Sequence, residues 1–201
     1  MTLKSEKILI KNDSILEAVI LQIPKPIIES TNDVFHDLMS CIIEQQIHYR
    51  STKRIFAKAL ERASIDHLTI HNFHLFEKHS LSQIKLAMSK YETMMAFIDY
   101  WRNNTKDFNT LSDEEVINEL SSIKGIGKWT IDMILLYTLQ RRNVFPYDDF
   151  HLKQIMISLY KLNEKTKLKA QMLQVAENWG QEKSLAVLYL LAYKEFNKKG
   201  K

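Results

Sequence analysis

Glycine and proline are scarce in this chain, and that limits its fold more than any other feature. Four glycines and three prolines serve 201 residues, so turns must be few and tight. Leu, Ile, Lys, Glu and Gln fill the remainder and favour helix. Apolar residues recur at three-and-four spacing: Val34, Phe35, Leu38, Met39, Ile42 and Ile43 make one buried stripe, and Met94, Met95, Phe97, Ile98 and Trp101 another. No strand pattern and no internal repeat stands out. The expected class is all-α, with about ten helices.

Helix starts can be placed from capping residues. Asn12 and Asp13 are candidate caps for a helix running to Gln22 and ended by "PKP"; Thr31 or Asn32 for the next; Ser51 for "STKRIFAKALERA". Ser89 opens another helix. Ser112 with Glu115 forms a capping box, Gly180 is a C-cap, and the tail "NKKGK" is expected to fray. The segment from Leu68 to Met88 reads as short helices or turns.

Composition excludes several classes. The single cysteine, Cys41, rules out an intramolecular disulfide and a cysteine-ligated zinc or iron–sulfur cluster. The N-terminus is no signal peptide and no apolar run reaches bilayer length, so a reducing cytoplasmic setting is expected, nucleoid-associated in a prokaryote. A net charge of +4 is compatible with nucleic acid. His71, His74 and His79 lie close in sequence but lack a fourth ligand, and read as a surface cluster.

Two of the four glycines, Gly125 and Gly127, stand one residue apart in "SSIKGIGKWTIDMILLYTLQRRNVFPYDDF". Both are expected to use positive φ in a short helix–helix reversal, with Ile126 pinned in the core. The N–H groups of Gly127, Lys128 and Trp129 then open a helix end that attracts anions. Taken alone, the "GxG" is a tight connection with solvated lysines, and the adjacent acids Asp148 and Asp149 are helix caps.

The wider pattern resembles the helix-hairpin-helix motif and acidic loop of base-excision DNA glycosylases. "IKGIGKWTIDMILLYTL", "GKWT" and "FPYDDFHLK" fall in the family's order, and "DSILEAVILQIP", "VFHDLMSCIIEQQI" and "LAMSKYETMMAFIDYW" resemble its upstream helices. The similarity covers about residues 12 to 196, and the alkylbase branch, 3-methyladenine DNA glycosylase II, is the nearest. It implies a two-lobed helical fold with a cleft between lobes: about 31–145 with the hairpin at 120–130, and about 12–30 plus 146–196. The N-terminal β-rich domain of well-known relatives is not expected here.

The resemblance also implies roles. Asp149 takes the place of the catalytic aspartate, which stabilises an oxocarbenium-like sugar as the base leaves and orients or deprotonates water. Asp148 is then the helix cap or a structural acid, Pro146 extends the loop before it, and His151 is expected to hydrogen-bond within that loop. Trp129 stands where bifunctional relatives carry the Schiff-base lysine, so a monofunctional enzyme is expected. Trp129 is either a base-stacking wall or an ordinary packed residue; Phe150, Met133 and Tyr189 are further pocket candidates. Met133, and the lack of a tryptophan near Leu191, depart from the family's pattern.

Gln46 is the implied plug that fills the gap left by a flipped base, with Gln45 supporting it. Arg50, Lys53, Lys124, Gly125, Gly127, Lys128 and Thr130 are candidate DNA contacts. The hairpin carbonyls of Ser121, Ile123 and Ile126 are implied ligands of a monovalent cation, Na⁺ or K⁺, with no other cofactor expected. The implied function is excision of alkylated purines (3-methyladenine, 7-methylguanine) from double-stranded DNA by a monomer. A glycosylase for deaminated bases (hypoxanthine, uracil) and a non-catalytic DNA-binding module are the alternatives.

Overall fold

Asp13 shows how the chain builds its first bend. Its Oδ1 accepts the N–H groups of Ile15 (3.0 Å) and Leu16 (2.9 Å), starting one helix immediately after another ends. The computed structural model describes residues 3–44, 49–84 and 86–199. All regular structure among them is helical. The chain divides into two compact units, residues 1–29 with 140–201, and residues 30–139.

The first unit holds α1 (Leu3–Asn12), α2 (Ser14–Gln22), α9 (Phe150–Tyr160), α10 (Leu168–Glu177) and α11 (Lys183–Lys199). Helix α11 packs on α9, α2 and α1. Trp179 is fully buried, with Phe145 edge-on to it at 5.7 Å. Asp13 is the polar hub of this core: its Oδ2 accepts the Tyr160 hydroxyl and the Trp179 indole N–H, both at 2.7 Å. Burial, and then the Asp13 carboxylate, push the Tyr160 phenol well above its ordinary pKa.

The second unit holds α3 (Val34–Glu44), α4 (Tyr49–Ala63), α5 (Phe73–His79), a 3₁₀ turn at Leu81–Gln83, α6 (Met88–Arg102), α7 (Asp113–Ser121) and α8 (Lys128–Met133). Helix α8 runs on as a π-helical stretch, Ile134–Thr138. The expected stripes meet in its core, where Phe35 stacks on Phe97 at 5.4 Å and Trp101 on Phe108 at 5.6 Å.

Several expected helix limits are corrected. Helix α1 occupies a segment in which no helix was expected. Asp33, rather than Thr31 or Asn32, caps α3 by accepting the His36 N–H at 3.1 Å. Ser51 lies inside α4, which starts at Tyr49, and α6 starts at Met88, before Ser89. The helix expected from Lys128 to about Gln140 changes to π register at Ile134, where the Leu139 N–H reaches the Ile134 carbonyl at 2.9 Å. Thr138 anchors that end: its hydroxyl donates to buried Asp37 at 2.7 Å, and its carbonyl accepts the Ser30 hydroxyl at 2.6 Å.

Candidate active site

The hairpin lies between α7 and α8. The capping box holds as expected: the Ser112 hydroxyl accepts the Glu115 N–H at 3.3 Å, and the Ser112 N–H donates to Glu115 Oε2 at 2.8 Å. Ile123 and Ile126 are buried and pin the reversal from within, closed by an N–H bond from Ile126 to the Ile123 carbonyl at 3.1 Å. The two glycines do different work. Gly125 has φ +90°, a conformation that favours glycine, and it faces Thr93 so closely that a Cβ there would meet the Thr93 hydroxyl at 1.9 Å. Gly127 does not use positive φ. It is extended (φ −97°, ψ 170°), forms the N-cap of α8, and has open space where a Cβ would be. That space admits close approach of a phosphate to the backbone.

Two expected phosphate contacts are engaged or buried within the protein. The Lys128 ammonium is held by both oxygens of Asp132, at 2.8 and 2.7 Å, one helical turn on. Asp132 is itself buried, and the i,i+4 spacing in the sequence was the signal that could have found it. Thr130 is only 2% exposed, so its hydroxyl is not presented to DNA. Lys124 does project, at 83% side-chain exposure, 3.6 Å from Glu92. Trp129 is half-buried and Met133 is buried in the core of the second unit.

The acidic loop belongs to the other unit. Phe145 and Pro146 are buried, and the Asp149 N–H closes a turn onto the Pro146 carbonyl at 2.9 Å. Asp149 is the N-cap of α9: its Oδ1 accepts the Leu152 N–H at 2.8 Å. Asp148 is therefore not the cap. It is half-exposed, with Lys153 at 3.6 Å. The bond to Leu152 fixes the Asp149 carboxylate, which is 8% exposed, at the positive end of a helix. That is the setting for a carboxylate that must face a developing cation.

Phe150 projects next to it at 62% exposure, edge-on to His151 at 5.2 Å. The His151 Nδ1 meets the Lys194 amine of α11 at 2.9 Å. Tyr189 is a core residue, not a pocket wall. It is 2% exposed and its hydroxyl donates to Glu6 at 2.7 Å; burial, then that carboxylate, raise its pKa.

Gln45 and Gln46 lie outside the described residues. The backbone at Arg50 and Lys53 is helical, and their side chains lie outside the description. The Ile123 carbonyl keeps a lone pair beyond its bond to Ile126, compatible with the cation-binding role expected for Ser121, Ile123 and Ile126. Among the described residues, no group of three or more His, Cys, Asp or Glu side chains is placed to hold a metal ion.

No protein-family model matches the chain. It is 26% identical over 134 residues to DNA-3-methyladenine glycosylase 1 of Schizosaccharomyces pombe, a match covering 64% of this chain and 58% of that protein. Among solved structures, the 3-methyladenine DNA-glycosylase of Archaeoglobus fulgidus superposes with a TM-score of 0.78 at 23% identity, covering 96% of this chain and 69% of that one. The S. pombe 3-methyladenine DNA glycosylase Mag1, in complex with abasic DNA, superposes with a TM-score of 0.68 at 21% identity, covering 94% and 95%. The chain spans 58% of the length of two of the curated relatives it matches.

Proposed function

We propose that this chain is a helix-hairpin-helix DNA glycosylase that excises alkylated purines from duplex DNA and leaves an abasic site. The observation that carries this reading is Asp149. It is a nearly buried carboxylate locked at the start of α9 and reached along the chain directly from the hairpin helix.

The hairpin backbone around Gly127, with Lys124 beside it, holds a phosphate. The flipped nucleotide presents its sugar to Asp149, and Gln46 with Gln45 fills the gap in the stack. As the base departs, the anomeric carbon becomes cationic, and the Asp149 carboxylate stabilises it more strongly than it does the neutral ground state. Water adds to that carbon, its proton passes toward Asp149 or solvent, and the bonding pair leaves with the base. An N3- or N7-alkylated purine carries positive charge and leaves neutral, so it needs no protonation. A cationic base also suits an aromatic wall, for which Trp129 and exposed Phe150 are the candidates.

The reading extends to a monomeric enzyme that acts on chromosomal DNA in the cytoplasm or nucleoid, with a monovalent cation at the hairpin carbonyls. A lesion panel tests it. Release of 3-methyladenine or 7-methylguanine from methylated duplex supports the reading; release confined to hypoxanthine or uracil transfers the site to deaminated bases; binding without any release makes the chain a non-catalytic module.

A further inference from the structure

The unit that carries Asp149 also carries a concentration of positive charge that the hairpin does not explain. From the end of α9 into the first turn of α10 the sequence reads "KLNEKTKLK", Lys161 to Lys169, with four lysines against one glutamate. All four lysines are exposed. Such a run is often only a solvated face, but two features set this one apart.

The first is that the loop is braced. The Gln171 side chain accepts the Asn163 N–H at 2.9 Å and donates to the Asn163 carbonyl at 3.0 Å and to the Thr166 carbonyl. The Asn163 side chain accepts the Lys165 N–H at 2.9 Å. Lys161 and Lys167 sit in left-handed backbone conformation, φ 54° and 42°, which is uncommon for a residue with a side chain. A loop held this way presents its cations with less ordering cost on binding.

The second is placement. The Lys169 amine lies over the Tyr147 ring, 4.1 Å from its centroid, two residues before Asp149. Lys153 stands 3.6 Å from Asp148, one residue before Asp149. Tyr147, and more weakly Asp148, raise the Lys169 pKa, so its charge is kept. The acidic loop is thus flanked by two lysines, with the rest of the run beyond them.

We propose that Lys153, Lys169 and the braced Lys161–Lys167 loop form a second phosphate-contacting surface, which holds the DNA backbone beside the acidic loop. It rests on the glycosylase reading for its ligand, and it adds a grip on the unit that carries the chemistry, separate from the hairpin. A carboxylate that works on a flipped nucleotide repels the phosphates flanking it, and cations beside the loop offset that repulsion.

The test is the salt dependence of binding to an undamaged duplex, measured by fluorescence anisotropy on the full chain. Losing two phosphate contacts makes the slope of log K against log salt shallower by roughly 1.8. We expect that change in K153A/K169A, its recovery in K153R/K169R, and none in the control K7A/K11A, which removes two exposed lysines of α1. A K153A/K169A slope equal to that of wild type, or an equal change in the control, overturns the surface. Base release by wild type is scored separately. An active enzyme with an unchanged slope sinks the surface alone, and a shallower slope with no base release by wild type sinks the catalytic reading alone.

Discussion

Gly125 rests directly on Thr93 of α6, and the backbone there has φ +90°. The hairpin is therefore positioned by a contact that admits no side chain. Gly125→Ala combines a strained backbone with a collision against a buried residue. It is expected to cost about 2–4 kcal/mol, or roughly 5–10 °C in melting temperature. Thr93→Ala in the same chain should recover part of that loss by removing the nearest atom. Gly127→Ala is the informative contrast: its backbone is ordinary and its surroundings are open. Thermal melting should place it within about 1 kcal/mol of wild type, with DNA affinity reduced. Equal destabilisation by both alanines would contradict the division of labour.

Asp13 satisfies two backbone N–H groups, one phenol and one indole. Asp13→Ala strands these donors in a core and is expected to cost about 3 kcal/mol in thermal or urea unfolding. Asp13→Asn keeps one acceptor oxygen and should fall between. A loss under about 1 kcal/mol for the alanine variant would show that water replaces the hub.

His36 gives a sign for acid stability. Its ring stacks on His67 at 4.0 Å and its Nδ1 accepts the Leu68 N–H at 3.0 Å. Burial first, and then His67, hold its pKa below the ordinary histidine value, against opposing pulls from Asp37 and Asp33. The folded state thus prefers neutral His36. Its contribution is complete above about pH 6.5, the ordinary value, and is lost as pH falls from there toward the lowered one. Melting temperature followed down through that window should drop less steeply in His36→Gln than in wild type. Parallel acid limbs would show that His36 does not carry the effect.

Lys128 bears on the question of strand cleavage. Its amine is engaged by both oxygens of Asp132, and its neighbour in the expected lyase position is Trp129. Borohydride reduction during turnover on methylated duplex should therefore trap no protein–DNA adduct. A trapped species that disappears in Lys128→Ala would make this lysine a Schiff-base nucleophile.

The parts of the molecule legible in the sequence were those decided locally. The Ser112/Glu115 box, the Asp13 cap and the apolar stripes of α3 and α6 each follow from spacing within one or two turns. The errors arose where two local solutions were equally good and packing chose between them. Asp148 and Asp149 can both cap a helix, and the turn from Pro146 selects the second. Lys128 reaches Asp132 while its side chain stays half-exposed, and the buried Asp132 that draws it there is not evident from the lysine alone. Tyr189 lies on a helix face that the sequence pattern does not distinguish from a pocket wall, yet Glu6, far away in sequence, takes its hydroxyl. The π register after Met133 has no sequence signature here; Thr138 reaching Asp37 and Ser30 accompanies it.

Asp149 carries both a structural bond and the proposed chemistry, and the two can be separated. Asparagine keeps an oxygen for the Leu152 N–H and caps a helix about as well as aspartate, so Asp149→Asn should fold with a stability within about 0.5 kcal/mol of wild type; alanine should cost about 1 kcal/mol. Single-turnover release of methylated purines from duplex DNA is the deciding measurement. We expect the wild-type chain to release them and Asp149→Asn, equally well folded, to be slower by roughly 100-fold or more. Release at the wild-type rate by Asp149→Asn would show that Asp149 is a helix cap and nothing further.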